Sequence, residues 1–340
     1  MAGKSGGGKE PALDFQILDI RHLEADQFAP LLVEESKIWR DELRWDFEPS
    51  ARQISNCLQE KRLSGYALAL ADQIRGYCFF FNDGEKGFIG DLFVEPASAK
   101  IELARRLLDH SIEKLVGTPG LRRVEAQLPH FTYEQLESCF LARCFKAYRR
   151  CFMSVALIDR PPRRPLAGQT PPPDPTEGPA PLADFLLVPW DRKHDREAGE
   201  LLCAVYHHHI DTAINDQYGS AEGTRRLIEN IVHHRGCGEF LPRASLVALH
   251  RSTRSLAGVL ALTSVGRQNA HIPQIAVAAQ FQATGLGTAM LESSFQELTR
   301  QGYGEVSLTV TELNAGALRL YERLGFKTFR TFGAFAWEHP

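Results

Sequence analysis

The sequence predicts an α/β chain in which one fold is written twice in tandem. Three observations carry that reading. A length of 340 residues suits two domains of ordinary size. The two halves carry the same order of predicted elements. Short segments also match: Ile275-Ala276-Val277 parallels Leu92-Phe93-Val94, and Phe326-Lys327-Thr328-Phe329-Arg330 parallels Phe145-Lys146-Ala147-Tyr148-Arg149. The valine-to-phenylalanine interval is 49 residues in one half (277 to 326) and 51 in the other (94 to 145). Chance could give one short match; order and spacing together favour a duplicated unit.

In the first half a strand over Phe88–Val94 leads to a helix over Ile101–Leu115. A strand (Arg122–Gln127), a helix (Tyr133–Ala142) and a terminal segment from Phe145 follow. In the second half a strand over Ile272–Val277 leads to a helix over Gly285–Arg300. A strand (Glu305–Val310), a helix (Ala315–Leu324) and a terminal strand pair from Phe326 follow. Between them, residues 161–181 read PPRRPLAGQTPPPDPTEGPAP. Proline fixes φ and removes donors, so this stretch reads as an extended linker. The expected organisation is a disordered tail (1–12), a first domain (13–158), a linker (159–182) and a second domain (183–340).

Composition excludes several classes of function. Hydrophobic residues make up 44% and charged residues 24%, a soluble globular balance. A formal net charge of −3 argues against a nucleic-acid surface or an anionic-membrane partner. The seven cysteines are scattered without a C-x-x-C pair and read as reduced thiols. MAGKSGGGKE has no apolar signal core, and no apolar run approaches a membrane span, so a cytoplasmic protein is expected. Gly3-Lys4-Ser5 imitates the end of a phosphate-binding loop but lacks its preceding strand and glycine.

The chemistry concentrates in the second half. Gln282-Ala283-Thr284-Gly285-Leu286-Gly287-Thr288 follows an apolar strand and opens an amphipathic helix with Leu291 and Phe295 on its core face. Glycines there let the backbone approach a ligand, and free N–H groups at a helix start attract an anion such as a pyrophosphate. A dinucleotide-binding turn is disfavoured because Met290 stands where its third glycine would be. Further on come Asn314, Ala317, Tyr321 and Gly325-Phe326.

With both segments in order, the chain resembles the GCN5-related N-acetyltransferases, the GNAT superfamily. The resemblance rests on Gln282…Gly285…Gly287 and Asn314…Ala317…Tyr321…Gly325-Phe326. It implies for each copy a mixed, mostly antiparallel sheet flanked by helices, and direct acyl transfer from acetyl-CoA to an amine without a covalent enzyme intermediate. It implies that Ile275, Val277, Gln282, Ala283, Thr284, Gly285, Leu286, Gly287, Thr288, Asn314 and Tyr321 hold acetyl-CoA. Ala283 departs from the glycine of many members, but its amide remains. The Val277 amide would stabilise the oxyanion from a bulged strand. Tyr321 would protonate the leaving thiolate, and His271, six residues before Val277, is a candidate base.

The acceptor wall would come from the first two helices. His207, Asp211 and Asn215 share one face of a predicted helix, with His208 beside it and His209 elsewhere; Tyr218 follows. The stripe reads as solvent-facing or as a reader of a polar amine. A metal shared by His207 and Asp211 is disfavoured, so no metal is expected. His233 and His234 suit a helix C-terminus.

Aligned on Val94 and Phe145, the first copy puts Glu102 at the position of Gly285 and Phe140 at that of Tyr321, with Ala99 and Lys100 at those of Gln282 and Ala283. A carboxylate repels the pyrophosphate, and phenylalanine cannot donate a proton. The first copy therefore reads as a degenerate one that packs on the second. The expected function is an N-acetyltransferase acting on an unidentified small amine. The alternatives are a non-catalytic acyl-CoA sensor and a thiol or hydroxyl acceptor.

Overall fold

The computed structural model describes residues 15–96, 101–157, 182–234 and 237–339. The expected tail, almost all of the linker and the Ala99–Lys100 pair lie outside the described residues.

The chain forms two compact units: 1–37 with 47–124, and 38–46 with 125–340. The first unit holds strands β1 (Phe15–Asp19), β2 (Ser64–Leu70), β3 (Gln73–Asp83) and β4 (Lys86–Val94) as an antiparallel meander. Helix α1 (Ala29–Leu43) begins in this unit, α2 (Glu48–Gln59) lies within it, and α3 (Ile101–Val116) buries Leu103, Leu107, Leu108, Ile112 and Leu115 at helical spacing. Phe28, Tyr77, Phe79 and Phe93 form its aromatic centre.

The chain enters the second unit along β5 (Arg123–Gln127) and continues through α4 (Tyr133–Leu141) to β6 (Lys146–Ala156). Thr132 and Gln135 cap α4 reciprocally. After the linker come β7 (Phe185–Pro189), α5 (Asp195–Tyr206), α6 (Ile210–Ile214) and α7 (Ala221–Val232). Then follow β8 (Glu239–Phe240), β9 (Leu246–His250), β10 (Leu256–Ser264) and β11 (Asn269–Val277). Helix α8 (Leu286–Arg300), β12 (Glu305–Thr311), α9 (Ala315–Arg323) and β13 (Lys327–Glu338) complete the unit. Its sheet runs β5-β13-β6-β12-β11-β10-β9-β7, with β8 on β10. The pairs β7–β9, β9–β10, β8–β10, β10–β11, β12–β6 and β6–β13 are antiparallel, and β11 pairs with β12 in parallel.

The expected elements appear within a few residues of their expected bounds, with one correction at the C-terminus. There is no terminal strand pair from Phe326: β13 is a single long strand. The strand beside it is β6, which closes the first copy in sequence and lies between β12 and β13. Each copy thus ends in one strand, and two such strands pair with each other. A lone terminal strand leaves one row of backbone groups unpaired; exchange satisfies both rows. One face of this sheet carries Val306, Leu308 and Val310 of β12 with Cys151 and Met153 of β6 into a core closed by α8 and Tyr321 of α9. The opposite face of β10 and β11 buries Val259, Ala261 and Ala276 under α5 and α7.

Candidate functional site

Helix α8 starts at Gly285, whose φ is +90°. Ala283, at φ +61°, also lies in the left-handed region. Alternating such residues turns successive N–H groups toward one side and forms an anion nest. A Cβ built at Gly285 would meet nothing within 4 Å, so the space above it is open to a ligand, and the positive φ alone favours glycine. The loop is braced from within: Gln282 Nε2 donates to the Val277 carbonyl at 3.1 Å and Thr284 Oγ1 to the Phe281 carbonyl at 2.8 Å. Leu286 is buried and anchors the helix start, while Gly287 and Thr288 form the rest of its first turn.

Beside this loop, β11 and β12 pair in parallel only from Asn269↔Glu305 to Ile272↔Leu308. Both strands then run on, to Val277 and Thr311, without pairing to each other. The backbone of β11 from Pro273 onward faces a split in the sheet, with Ile275 and Val277 bordering the core that Tyr321 enters. One extra β11 residue lies between His271 and Gln274, opposite Ala261 and Thr263. The irregularity therefore precedes Val277, which pairs regularly with Gly258. It rotates the strand so that His271, Gln274 and Ala276 share the α5 face while Ile272, Ile275 and Val277 share the α8 face.

Tyr321 is buried on α9, with its ring against Phe326. Its hydroxyl makes no hydrogen bond with any described residue. Burial first, and then the Asp211 charge, push its pKa well up, so it stays protonated. Asn314 caps α9 by accepting from the Ala317 N–H at 3.1 Å, and Gly325 ends the helix at φ +87°.

The expected helix that would carry His207, Asp211 and Asn215 is broken. Helix α5 ends at Tyr206 and α6 restarts at Ile210, with His209 extended between them. The one-face grouping of His207, Asp211 and Asn215 is therefore lost. His207 and His208 are exposed and touch each other, with ring centres 4.6 Å apart. His209 is the histidine that turns inward: its Nε2 is 3.1 Å from Asn314 Nδ2. Asp211 accepts a hydrogen bond from Thr311 Oγ1. Asn215 caps the next turn through the Gln217 N–H at 3.0 Å. Tyr218 is buried, accepts from Gln274 and stacks on Tyr206, whose hydroxyl donates to the Ile275 carbonyl at 3.1 Å. Burial, as the leading cause, raises the pKa of both phenols. His233 reaches Asp195 Oδ2 at 3.0 Å, and His234 faces Glu229 at 3.7 Å.

His271 lies on the same polar face as Tyr218. It is buried between Trp45 and Phe152, with ring centres 5.1 and 5.8 Å away. Ser307 Oγ lies 3.0 Å from His271 Nδ1 and 3.2 Å from the Ala270 carbonyl, so the hydroxyl joins the ring to the strand backbone. Burial, and then the Arg150 charge, lower its pKa to about 3. Arg150, from β6, reaches the same face and donates to Thr309 Oγ1 at 3.2 Å. Sequence reasoning missed Arg150 and Trp45: both lie far from the motif in sequence, and no local pattern announces the strand that carries Arg150.

In the first copy, Glu102 opens α3 and pairs with Arg106 at 3.3 Å. Phe140 is fully buried and stacks on Phe335 at 3.8 Å. A groove of about 570 Å³ between α5 and α7 contains none of the motif residues and is lined by charges that pair with one another, such as Arg225 with Glu222 at 2.8 Å. Among the described residues no helix is long and apolar enough to cross a membrane, and no three His, Cys, Asp or Glu side chains gather as metal ligands.

Known proteins are similar to this chain in fold and, over shorter stretches, in sequence. The solved tandem GNAT protein from the clavulanic acid biosynthesis pathway is similar in fold, at 15% identity over 96% of this chain and 99% of that one, with a TM-score of 0.60. A GCN5-related N-acetyltransferase from Sphaerobacter thermophilus is similar at 16% identity over 95% of each chain, with a TM-score of 0.62. The ribosomal protein bS18 alanine N-acetyltransferase of Escherichia coli K12 is 42% identical over 66 residues, 19% of this chain. An N-alpha-acetyltransferase of Sulfurisphaera tokodaii is 41% identical over 59 residues, 17% of this chain. The chain spans 45% and 35% of those two relatives' lengths. The profile of the Acetyltransferase (GNAT) family matches residues 17–144 and again 208–326, and the chain belongs to that family as a tandem member.

Proposed function

We propose that the protein transfers an acetyl group from acetyl-CoA to an amine at a single site in its second copy. The observation that carries this is the open left-handed loop at Gly285 beside the β11–β12 split, with Tyr321 buried and its hydroxyl unbonded among the described residues. The nest and the start of α8 receive the pyrophosphate through main-chain N–H groups of Ala283 to Thr288. The rest of acetyl-CoA enters the split along Ile275 and Val277, at the edge left unpaired by β12. Asn314 caps the helix that presents Tyr321.

In the reaction the amine nitrogen attacks the thioester carbon in a ternary complex. The Val277 amide donates to the oxyanion, a contribution of roughly 3 kcal/mol for such a donor. The C–S bond breaks, the thiolate takes the Tyr321 proton, and the amine proton returns to the phenolate through water. The same burial that raises the phenol also raises the affinity of the departing thiolate for a proton, so transfer stays matched. His271, with a pKa near 3, stays neutral and holds little basicity at neutral pH; we assign it to shaping the acceptor wall rather than to proton abstraction. The free Tyr321 hydroxyl favours catalysis over acyl-CoA sensing, for which binding suffices. Release of free thiol from acetyl-CoA across a panel of amines tests the reading: turnover lost in Gly285→Glu supports it, and turnover in none of a broad panel, peptides included, overturns it.

A further inference from the structure

We infer that the acceptor is a small amine that also carries a carboxylate, an amino-acid-like zwitterion, and that Arg150 from the exchanged strand binds its carboxylate. This rests on the reading of the second copy as the acetylating one.

The placement of charge on one face of the sheet carries the argument. On β12, Val306, Leu308 and Val310 turn into the core, so Ser307, Thr309 and Thr311 face the other way. These three meet His271, Arg150 and Asp211 in turn. Arg150 and Asp211 are therefore anchored two residues apart on the same face, about 7 Å along the strand. No ion pair joins them among the described residues. The bond to Thr309 is the one hydrogen bond Arg150 makes there, and its Nε is buried without a partner. A guanidinium has five N–H donors in a planar fork suited to a carboxylate. A buried donor left unsatisfied is costly, so an unfilled fork in a polar site marks a place for an anion. Asp211 supplies the opposite charge, held by Thr311 with its second oxygen near His209 at 3.5 Å. The gap between the charges accepts one small molecule hydrogen-bonded at each end, its amine toward Asp211 and Tyr321. The Asp211 charge raises the Tyr321 pKa, and the Arg150 charge acts on His271 and Tyr218, so both reach the same space.

The test uses the full chain, acetyl-CoA and matched acceptor pairs that differ only in the carboxylate: glycine with methylamine, β-alanine with ethylamine, phenylalanine with phenethylamine. Thiol release gives kcat and KM, and calorimetry on the same samples gives acetyl-CoA affinity. At least one carboxylate-bearing acceptor should exceed its partner by roughly 10²-fold or more in kcat/KM, the scale set by a buried polar group left unpaired. Arg150→Gln should raise that acceptor's KM by about 10²-fold with acetyl-CoA affinity unchanged, and Arg150→Lys should restore part of it because it keeps the charge and loses the fork. Equal turnover within every pair overturns the inference and leaves the acetyltransferase reading standing. So does an unchanged KM in Arg150→Gln. Turnover of no panel member with intact acetyl-CoA binding also overturns it, and loss of that binding in the wild-type chain overturns the reading beneath it.

Discussion

The two helix starts at equivalent places show how one fold can carry two different sets of side chains at its motif. At α8, Gly285 is left-handed and open above; at α3, Glu102 occupies the equivalent position and folds back on Arg106. At the other end of each motif, Tyr321 has a hydroxyl unbonded among the described residues, and Phe140 stacks on Phe335 with no exposed surface. Both helices bury the same kind of apolar face, so the fold survives either choice. In the function proposed above, the chemistry depends on a few groups that packing does not require, and these can be lost without unfolding the copy.

The sharpest way to break the comparison is to remove the first copy. A chain starting near Leu182 keeps every motif residue but loses β6, leaving β12 and β13 with facing unpaired edges. It should aggregate or fail to give a cooperative unfolding transition by circular dichroism; a soluble, fully active fragment would mean that the exchange is dispensable.

Next in size, Gly285→Glu places in the second copy the carboxylate of the first. Calorimetry should find one acetyl-CoA site in the wild-type chain and an affinity lower by roughly 10³-fold in the variant, as like charges in a binding site cost several kcal/mol. Two equal sites in the wild-type chain would erase the distinction between the copies.

Tyr321→Phe makes the second copy resemble the first at the position of the proposed acid. The expected loss in kcat is roughly 10²-fold with acetyl-CoA affinity unchanged, read by steady-state kinetics beside calorimetry. An unchanged kcat, with chemistry shown to limit the rate, would return Tyr321 to a packing role.

The smallest effect concerns His271. Its folded pKa, about 3, lies below the ordinary 6.5, so the unfolded chain binds the proton more tightly. Its share of stability is complete above about pH 6.5 and is lost as the pH falls toward 3, at up to about 1.4 kcal/mol per pH unit. Urea unfolding from pH 7 to 4.5 should show that slope, and His271→Asn should flatten it. An equal slope in both chains would show that the ring is not buried neutral.

Much of this was legible in the sequence. The duplication, the family, the glycine loop, Asn314, Tyr321 and the differences at Glu102 and Phe140 rest on residues close together in the chain, where local backbone geometry and helix caps impose their own patterns. The acceptor side was far less legible. Helical spacing grouped His207 with Asp211, but the chain breaks at His209, the residue that turns in to Asn314. His271 suited a base by residue type, and only burial beside Trp45 and Arg150 takes its basicity away. Arg150 stands 171 residues from Tyr321 in sequence, and nothing local in its strand tells which sheet it will join. Short-range forces write the glycine loop into consecutive residues. Strand exchange and desolvation depend on what the finished sheet brings together, and they decided which charges meet Ser307, Thr309 and Thr311 on one face.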